Sequence, residues 1–389
     1  MIKYLGSKRR LVPVLSELLT RSGGTTALDL FTGTTRVAQA FKQAGAFVTA
    51  VDTARYSEIL ALAHVATDPQ SISMDRLEGE LVRLNLLRGQ PGYFTETFCI
   101  KSRFFQPPNG ERIDAIRDTI EAELKGDPIY PLALTSLIEA ADRVDSTAGV
   151  QMAYMKAWAP RSYRPLELRV PQLWPGRGAA RRADALEAAR NLPTVDFAYL
   201  DPPYNQHRYF TNYHVWETLV AWDAPEHYGV ACKRIDSRDP ATKSVYNQKR
   251  SIGAALRELV ATVRAETLVV SYNDEAWLEL EELVELCAVR EAVVVLSFDS
   301  KRYVGAQIGI HNPEGKKVGK VSHLRNREYL VVSGPRRLIE HMTAPFSSAR
   351  VAPSVQGSGS GGGTEARRAS ASASSSSSSA ATRARTAAS

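Results

Sequence analysis

The chain of 389 residues is poor in cysteine and histidine, with three of the former and seven of the latter. Cys99, Cys232 and Cys287 lie far apart, and no C-x-x-C pair or zinc-like spacing occurs. The histidines are equally dispersed, so we expect no metal site. Isolated cysteines of this kind are typical of a reduced compartment, where disulfides are rare.

Long apolar stretches are also missing. No uninterrupted apolar run approaches the roughly 18 residues that a membrane-spanning helix requires. The basic residues within the first ten positions are not followed by an apolar segment, which argues against a secretory signal. We therefore predict a cytoplasmic protein with no membrane partner. Apolar residues make up 44% and charged residues 23%, which is the balance of a globular protein.

The net charge of +7 favours a nucleic-acid partner, but its distribution weakens that inference. Five arginines and one glutamate after Pro345 supply +4 of this charge, which leaves only +3 for the rest. Two basic clusters, at 8–10 and 177–182, either contact phosphate or form solvated faces. The sequence leaves both interpretations open.

Apolar segments of strand length alternate with helical patterns in two parts of the chain. The predicted strands are 26–30, 46–51, 195–200, 267–272, 292–298 and 329–332. Strands separated by helices predict an α/β fold of the Rossmann type, with a mostly parallel sheet and helices on both faces.

Two regions depart from this alternation. Helical periodicity dominates from 67 to 175, at 74–87, 113–124 and 130–144, which predicts a helical insertion carried by a sheet domain of 1–66 and 176–345. Residues 346–389 consist mostly of Ser, Ala, Gly and Arg. Such a composition buries too little apolar surface to offset the entropy of ordering, so we predict a disordered tail.

The first motif, Asp29-Leu30-Phe31-Thr32-Gly33-Thr34-Thr35, stands where the first predicted strand turns into a helix. Gly33 would let the backbone approach a ligand closely, and the helix N-terminus adds partial positive charge. Asp52 ends the second strand, where an acidic side chain is placed to accept hydrogen bonds from both hydroxyls of a ribose. A strand–turn–helix with two capping aspartates explains these residues equally well. The loop lacks the full G-x-G-x-x-G, which argues against a dinucleotide.

The second motif, Asp201-Pro202-Pro203-Tyr204, directly follows the apolar strand 195–200. The prolines fix φ and remove two backbone donors, so the carbonyls and the Asp201 carboxylate accept hydrogen bonds but cannot donate them. Such an array suits an amine such as N6 of adenine. Tyr204 is placed to stack on a base, which must leave the duplex to reach a methyl donor. A simple turn is the structural alternative, and the strand context and upstream loop favour catalysis.

These motifs resemble the Dam-like class of N6-adenine DNA methyltransferases, in which D-P-P-Y is the catalytic signature. The resemblance covers about residues 1–332. It implies transfer of a methyl group from S-adenosyl-L-methionine to N6 of a flipped adenine in double-stranded DNA. It also implies that Asp201, Pro202 and Tyr204 are catalytic. An aspartate at the first position favours adenine, whereas S-P-P-Y would favour cytosine N4.

The same resemblance implies which residues bind the cofactor. They are, in chain order, Tyr4, Lys8, Asp29, Phe31, Gly33, Asp52, Asp184 and Asp201. The first two match the family's N-terminal element, the next three its methionine-side loop, and Asp52 its ribose-binding acid. Asp184 matches the acid that contacts the adenine amine of the cofactor. Thr35 is a departure, because the family usually has glycine there and a β-branched side chain is expected to crowd the cofactor.

The resemblance also assigns roles to the regions. It makes the sheet domain catalytic, and the insertion over 67–175 and the basic stretch 233–250 are candidates for target recognition. The expected setting is restriction–modification, phage defence or epigenetic marking, with companion restriction or defence proteins as candidate partners. Two alternatives remain open. One is the same chemistry on RNA, and the other is a catalytically silent DNA-binding module that retains the fold.

Overall fold

A computed structural model describes residues 2–6, 8–155, 157–301 and 325–352. The strands in these ranges are β1 Thr26–Asp29, β2 Phe47–Asp52, β3 Gly178–Arg182, β4 Val195–Leu200, β5 His227–Tyr228, β6 Lys233–Arg234, β7 Ala265–Asn273, β8 Ala292–Lys301, β9 Arg325–Gly334 and β10 Arg350–Val351. Eight of them form one sheet in the order β10-β8-β9-β7-β4-β1-β2-β3, and β5 pairs with β6 separately.

The strand directions define where a ligand crevice lies. β3, β2, β1, β4 and β7 are neighbours in that order, and each pair is parallel. β9 runs antiparallel between β7 and β8. From β1 the chain adds β2 and β3 on one side, and β4 and β7 then follow on the other side. The strand order therefore reverses between β1 and β4, and such a reversal opens a crevice at the carboxyl ends of the two strands. The predicted Rossmann-type, mostly parallel sheet is thus confirmed.

Helices cover both faces of the sheet. Those in the described ranges are α1 Val12–Ser22, α2 Arg36–Gln43, α3 Arg55–Ala61, α4 Met74–Asn85, α5 Tyr93–Thr95, α6 Pro107–Leu124, α7 Tyr130–Val144, α8 Ala185–Asn191, α9 Tyr209–Asn212, α10 His214–Ala221, α11 Ile252–Thr262, α12 Leu280–Cys287 and α13 Arg336–Thr343. Residues of α1, α2 and α13 share one apolar cluster, and residues of α8, α11 and α12 share another. None of the described helices is long and apolar enough to cross a membrane.

The region of the predicted insertion is helical in the structure. It contains α4 to α7, which share a third apolar cluster with α3 and α10. α6 begins at Pro107, six residues before the predicted helix, because proline is tolerated in the first turn, where no backbone donor is needed. An isolated antiparallel bridge joins Thr147 to Tyr154 beyond α7. Because the third cluster includes α3 and α10, the insertion packs directly on the sheet domain.

The described fold continues past the predicted domain boundary at 345. Ala344–Ala349 forms a 3-10 helix, and β10 then pairs antiparallel with β8. Arg350 Nη2 donates a hydrogen bond to Thr343 Oγ1 at 2.6 Å. The prediction of disorder over 346–389 therefore began too early, because strand pairing rather than apolar content holds the first of these residues. The Ser-rich remainder lies outside the described residues.

Candidate active site

Polar side chains from separate motifs meet at one edge of the sheet. Asp29 and Asp52 end β1 and β2, Asp184 follows β3 by two residues, and Asp201 directly follows β4. Asn273 is the last residue of β7. Because these five strands are parallel, their carboxyl ends lie on the same side of the sheet. The two predicted motifs therefore border one crevice.

The loop after β1 is bound to the end of β2. Gly33 N donates to Asp52 Oδ2 at 2.9 Å, and Ala54 N donates to Asp52 Oδ1 at 3.0 Å. Burial raises the pKa of the Asp52 carboxyl, and these two hydrogen bonds oppose that rise. Gly33 has φ of 51°, and a Cβ there would lie 3.1 Å from the Tyr4 ring. Both the backbone conformation and the close approach of Tyr4 therefore favour glycine.

Asp29 is the most deeply buried acid of the loop, with 1% of its surface exposed. Burial raises the pKa of its carboxyl to about 7. Among the described residues, Asp29 Oδ1 has no hydrogen-bond partner. A buried acceptor without a donor is costly in a folded protein, and it fits a ligand that brings an ammonium or amine group.

A second part of the crevice combines aromatic rings with a helix N-terminus. The rings of Phe31 and Tyr246 meet edge to face, with centroids 5.2 Å apart and planes at 88°. Asp184 caps α8, because its Oδ1 accepts from Leu186 N at 2.9 Å and from Glu187 N at 3.3 Å. Burial and the nearby Asp184 carboxylate raise the pKa of Tyr246. Sequence analysis did not select Tyr246, because an isolated tyrosine carries no motif.

Tyr4 connects the glycine loop to the segment after D-P-P-Y. Its ring stacks on Tyr213 with centroids 4.6 Å apart and on Tyr209 with centroids 5.3 Å apart. Leu5 N donates to Tyr213 Oη at 2.5 Å, which fixes the backbone next to Tyr4. Tyr209 begins α9 and Tyr213 directly follows it, so this helix and the glycine loop share one aromatic contact.

Asp201 shares a buried ammonium group with a second carboxylate. Lys8 Nζ lies 3.1 Å from Asp201 Oδ1 and 3.0 Å from Glu328 Oε2. The lysine side chain is 5% exposed, against 19% and 17% for the two acids. Burial alone would lower the pKa of Lys8, but the two carboxylates raise it well above its usual value. Burial raises the pKa of Asp201 to about 6, and Lys8 offsets only part of that rise.

Tyr204 is held by the end of β7. Asn273 Nδ2 donates to Tyr204 Oη at 3.1 Å, and the Tyr204 and Tyr272 rings pack with centroids 5.0 Å apart. Lys8 Nζ lies 5.6 Å from the centroid of the Tyr204 ring. Within the described residues, no hydrogen bond reaches the Pro202 carbonyl. The motif thus presents two acceptors, a carboxylate and a carbonyl, on a fixed backbone.

Two buried basic residues, one predicted to contact the cofactor and one in the stretch 233–250, form ion pairs in the structure. Lys8, predicted to contact the cofactor, forms ion pairs with Asp201 and Glu328. Arg234, in the basic stretch proposed for target recognition, is buried and pairs with Asp223 and Asp236 at 2.7 Å each. Two acids thus pair with its guanidinium, and the role of the stretch 233–250 in target recognition stays a prediction.

Thr35 is fully buried and adopts a left-handed conformation, with φ of 62° and ψ of 11°. Gln39 Nε2 donates to its Oγ1 at 2.8 Å. The side chain is therefore buried and bonded to a residue of α2, and crowding of the cofactor by Thr35 stays a prediction.

A crevice between β1 and β4, with a glycine loop on one side and the D-P-P-Y motif on the other, places the protein among the class I methyltransferases. Residues 4–286 match the D12 class N6 adenine-specific DNA methyltransferase family, and the chain belongs to this family. Members of such a family act on DNA and use a methyl donor.

Several restriction-associated methylases are similar to the chain. The type II methyltransferase M.NlaIII of Neisseria lactamica is 29% identical over 301 residues, covering 73% of this chain and 87% of that protein. The modification methylase StsI of Streptococcus sanguinis is 26% identical over 371 residues, covering 90% and 55%. The type II methyltransferase M.FokI of Planomicrobium okeanokoites is 29% identical over 308 residues, covering 73% and 46%. The chain thus spans about half the length of the last two proteins.

Proposed function

We propose that the protein is a site-specific DNA methyltransferase that transfers a methyl group from S-adenosyl-L-methionine to N6 of an adenine flipped out of double-stranded DNA. The observation that carries this proposal is the acceptor pair of Asp201 and the Pro202 carbonyl at the carboxyl end of β4. A carboxylate and a carbonyl, which accept but do not donate hydrogen bonds, match an amine and mismatch a carbonyl or ring nitrogen acceptor.

The residues of the crevice fit S-adenosyl-L-methionine as the methyl donor. The unbonded Asp29 Oδ1 suits the ammonium of the methionine part. Asp52, beside the Gly33 loop, suits the ribose hydroxyls. Asp184 at the start of α8 and the ring of Phe31 suit the adenine part. When bound, this donor supplies an electrophilic methyl group on a sulfonium.

The protein's own contribution is to orient the amine and exclude water. Acceptance of both N6 hydrogens by Asp201 and the Pro202 carbonyl would draw the amine toward tetrahedral geometry and free its lone pair for attack. The bound donor would supply its methyl group to this lone pair and leave as a neutral thioether, and the proton lost from N6 would pass to solvent. Tyr204, fixed by Asn273, would support the flipped base by stacking. Positioning and desolvation supply most of the acceleration.

For target recognition we propose the helical insertion over 67–175. Gln151, which follows α7, is anchored on the segment after D-P-P-Y. Its N donates to Asn212 O at 2.8 Å, and its Oε1 accepts from Val215 N at 2.9 Å. A change in the insertion on binding DNA would therefore act on the segment next to the catalytic motif.

For the biological setting we propose restriction–modification, with phage defence and epigenetic marking as further roles and restriction or defence proteins as companions. The support is the names of the relatives, which are modification methylases and type II methyltransferases. Methylation-aware sequencing of DNA from cells that express the protein would give the recognition sequence. It would also show whether one site or several are marked.

The decisive experiment is transfer of tritiated methyl groups to duplex DNA, single-stranded DNA and RNA. Asp201→Ala should lower transfer at least 10²-fold, on the scale of losing a preorganised polar contact at a reacting atom. Its circular dichroism spectrum should be unchanged, because the substitution removes an acceptor and no core volume. Glu17→Ala, at an exposed position of α1, is the matched control and should retain full activity.

Three outcomes would contradict the proposal. Substantial transfer by Asp201→Ala would refute the mechanism. Transfer to RNA in preference to DNA would change the substrate class. Donor binding in a calorimeter without transfer to any of the three nucleic acids would favour the silent DNA-binding module.

A further inference from the structure

We infer that Glu328 is a positioning residue of the catalytic centre, which acts through Lys8 to keep the Asp201 carboxylate available to the adenine amine. Its charge also favours binding of a cationic methyl donor over binding of the neutral product. Glu328 was not among the predicted site residues, and it lies on β9, the long strand that runs antiparallel to β7. The inference rests on the proposed function and concerns the charge and hydrogen-bond capacity of its catalytic carboxylate.

The position of Glu328 follows from the reversed strand. In β9 it is paired in register with Asn273 of β7 and with Phe298 of β8. Asn273 is the residue that fixes Tyr204, so Glu328 enters the catalytic centre from the neighbouring strand. β9 is antiparallel, and its beginning therefore lies at the same edge as the carboxyl ends of the parallel strands.

The geometry divides one ammonium between two acids. Lys8 Nζ is almost equidistant from Asp201 Oδ1 and Glu328 Oε2, at 3.1 and 3.0 Å. A lysine paired with Asp201 alone would neutralise that carboxylate and compete with the amine for its lone pairs. Sharing the ammonium leaves Asp201 with part of its charge and acceptor capacity.

The cluster of Lys8, Asp201 and Glu328 carries one positive and two negative charges when all three groups are ionised. A second acid, Asp29, also faces Asp201, as do three phenol groups, those of Tyr199, Tyr204 and Tyr209. None of these adds a positive charge. A net negative centre stabilises the positive charge that passes from the sulfonium to N6 in the transfer, and it has no such effect on a neutral thioether.

The test is Glu328→Gln, which keeps the size and an oxygen acceptor but removes the charge. Affinity for S-adenosyl-L-methionine, measured by calorimetry, should fall roughly tenfold. Affinity for S-adenosylhomocysteine, which lacks the sulfonium charge, should change by less than about twofold. Glu266→Gln, an exposed position at the other end of β7, is the matched control and should change neither affinity.

A pH profile separates this role from a purely structural one. The Glu328 carboxylate raises the pKa of Asp201, so its loss should move the acidic limb of the methyl-transfer profile to lower pH. Glu328→Asp retains the charge and should recover most of the wild-type ratio of donor to product affinity. A structural defect would weaken both ligands in parallel and leave the limb in place.

The inference is overturned if Glu328→Gln changes both affinities by the same factor or leaves the acidic limb unmoved while the protein stays folded. That result would leave the proposed function intact, because wild-type transfer to adenine is measured in the same series. Absence of transfer by the wild type would instead refute the proposed function itself.

Discussion

Replacement of Thr35 by glycine sets two properties of one residue against each other. Thr35 occupies the left-handed region, with φ of 62°, where a β-branched side chain is strained. At the same time its Oγ1 accepts a hydrogen bond from Gln39 Nε2 at 2.8 Å, and both residues are buried. Glycine would relieve the strain and lose the contact, so the sign of the change in stability depends on their magnitudes.

Relief of the left-handed conformation is worth roughly 1–2 kcal/mol. Against it stand the greater freedom of glycine in the unfolded chain, about 0.5–1 kcal/mol, and two lost buried side-chain carbons, about 1.6 kcal/mol. The lost hydrogen bond adds about 1 kcal/mol. The losses exceed the gain, so Thr35→Gly should lower the free energy of unfolding by about 2 kcal/mol.

The measurement is urea unfolding followed by circular dichroism. Thr35→Ser, which keeps the Oγ1 acceptor, is the control and should lose only the contribution of the methyl group. Because the side chain of Thr35 is buried and bonded to Gln39 of α2, affinity for S-adenosyl-L-methionine should change by less than about tenfold. A glycine variant more stable than wild type would show that backbone strain dominates and would refute this reasoning.

Three further changes test other parts of the site. Asp29→Asn should raise the free energy of unfolding at pH 8 and weaken donor binding. Burial raises the pKa of Asp29 to about 7 in the folded protein. Its contribution to stability is therefore present below pH 4 and is lost as the pH rises through 7. The stabilisation gained with asparagine should accordingly be smaller at pH 5 than at pH 8. Methyl transfer should fall as the pH drops through about 6, because Asp201 then takes up a proton; a profile flat from pH 8 to 5 would contradict its role as acceptor. Truncation after Ala352 should preserve the melting temperature, whereas truncation after Ala344 removes β10 and should lower it; equal melting temperatures would show that β10 contributes nothing.

The central strands and the catalytic motif could be predicted from sequence because burial on both faces imposes a continuous apolar run. β4 was predicted at 195–200, and these are its bounds in the structure. D-P-P-Y follows it directly, so the location of the acceptor pair needed no knowledge of distant contacts. The helix Tyr130–Val144 was predicted with the same bounds for a related reason, since its apolar residues repeat with helical periodicity.

Strand β3 was not predicted, and its residues explain why. Gly178–Arg182 reads Gly-Ala-Ala-Arg-Arg and lies at the edge of the sheet, where its last two side chains are exposed. A Cβ on Gly178 would lie 2.7 Å from Val48 O, so close pairing with β2 requires a small residue there. An edge strand with these requirements has no apolar pattern, and the sequence showed only a basic cluster.

The partners of the charged residues were also beyond prediction. Lys8 pairs with Glu328 only because β9 lies antiparallel between β7 and β8. Apolar periodicity carries no information on strand order. Arg234 is a similar case, because its two acids lie 11 and 2 residues away and only the turn between them brings them together.

The contact between Lys8 and Glu328 joins residues 320 positions apart and has a consequence for the order in which the enzyme becomes active. Contacts of such separation form late, because closing the intervening chain costs entropy before any interaction rewards it. During synthesis Asp201 emerges well before β9, so a nascent chain carries D-P-P-Y without the acid that shares its lysine. A partly folded chain thus has the motif but an incomplete catalytic centre. Methyl transfer should therefore begin only when the last long strand enters the sheet.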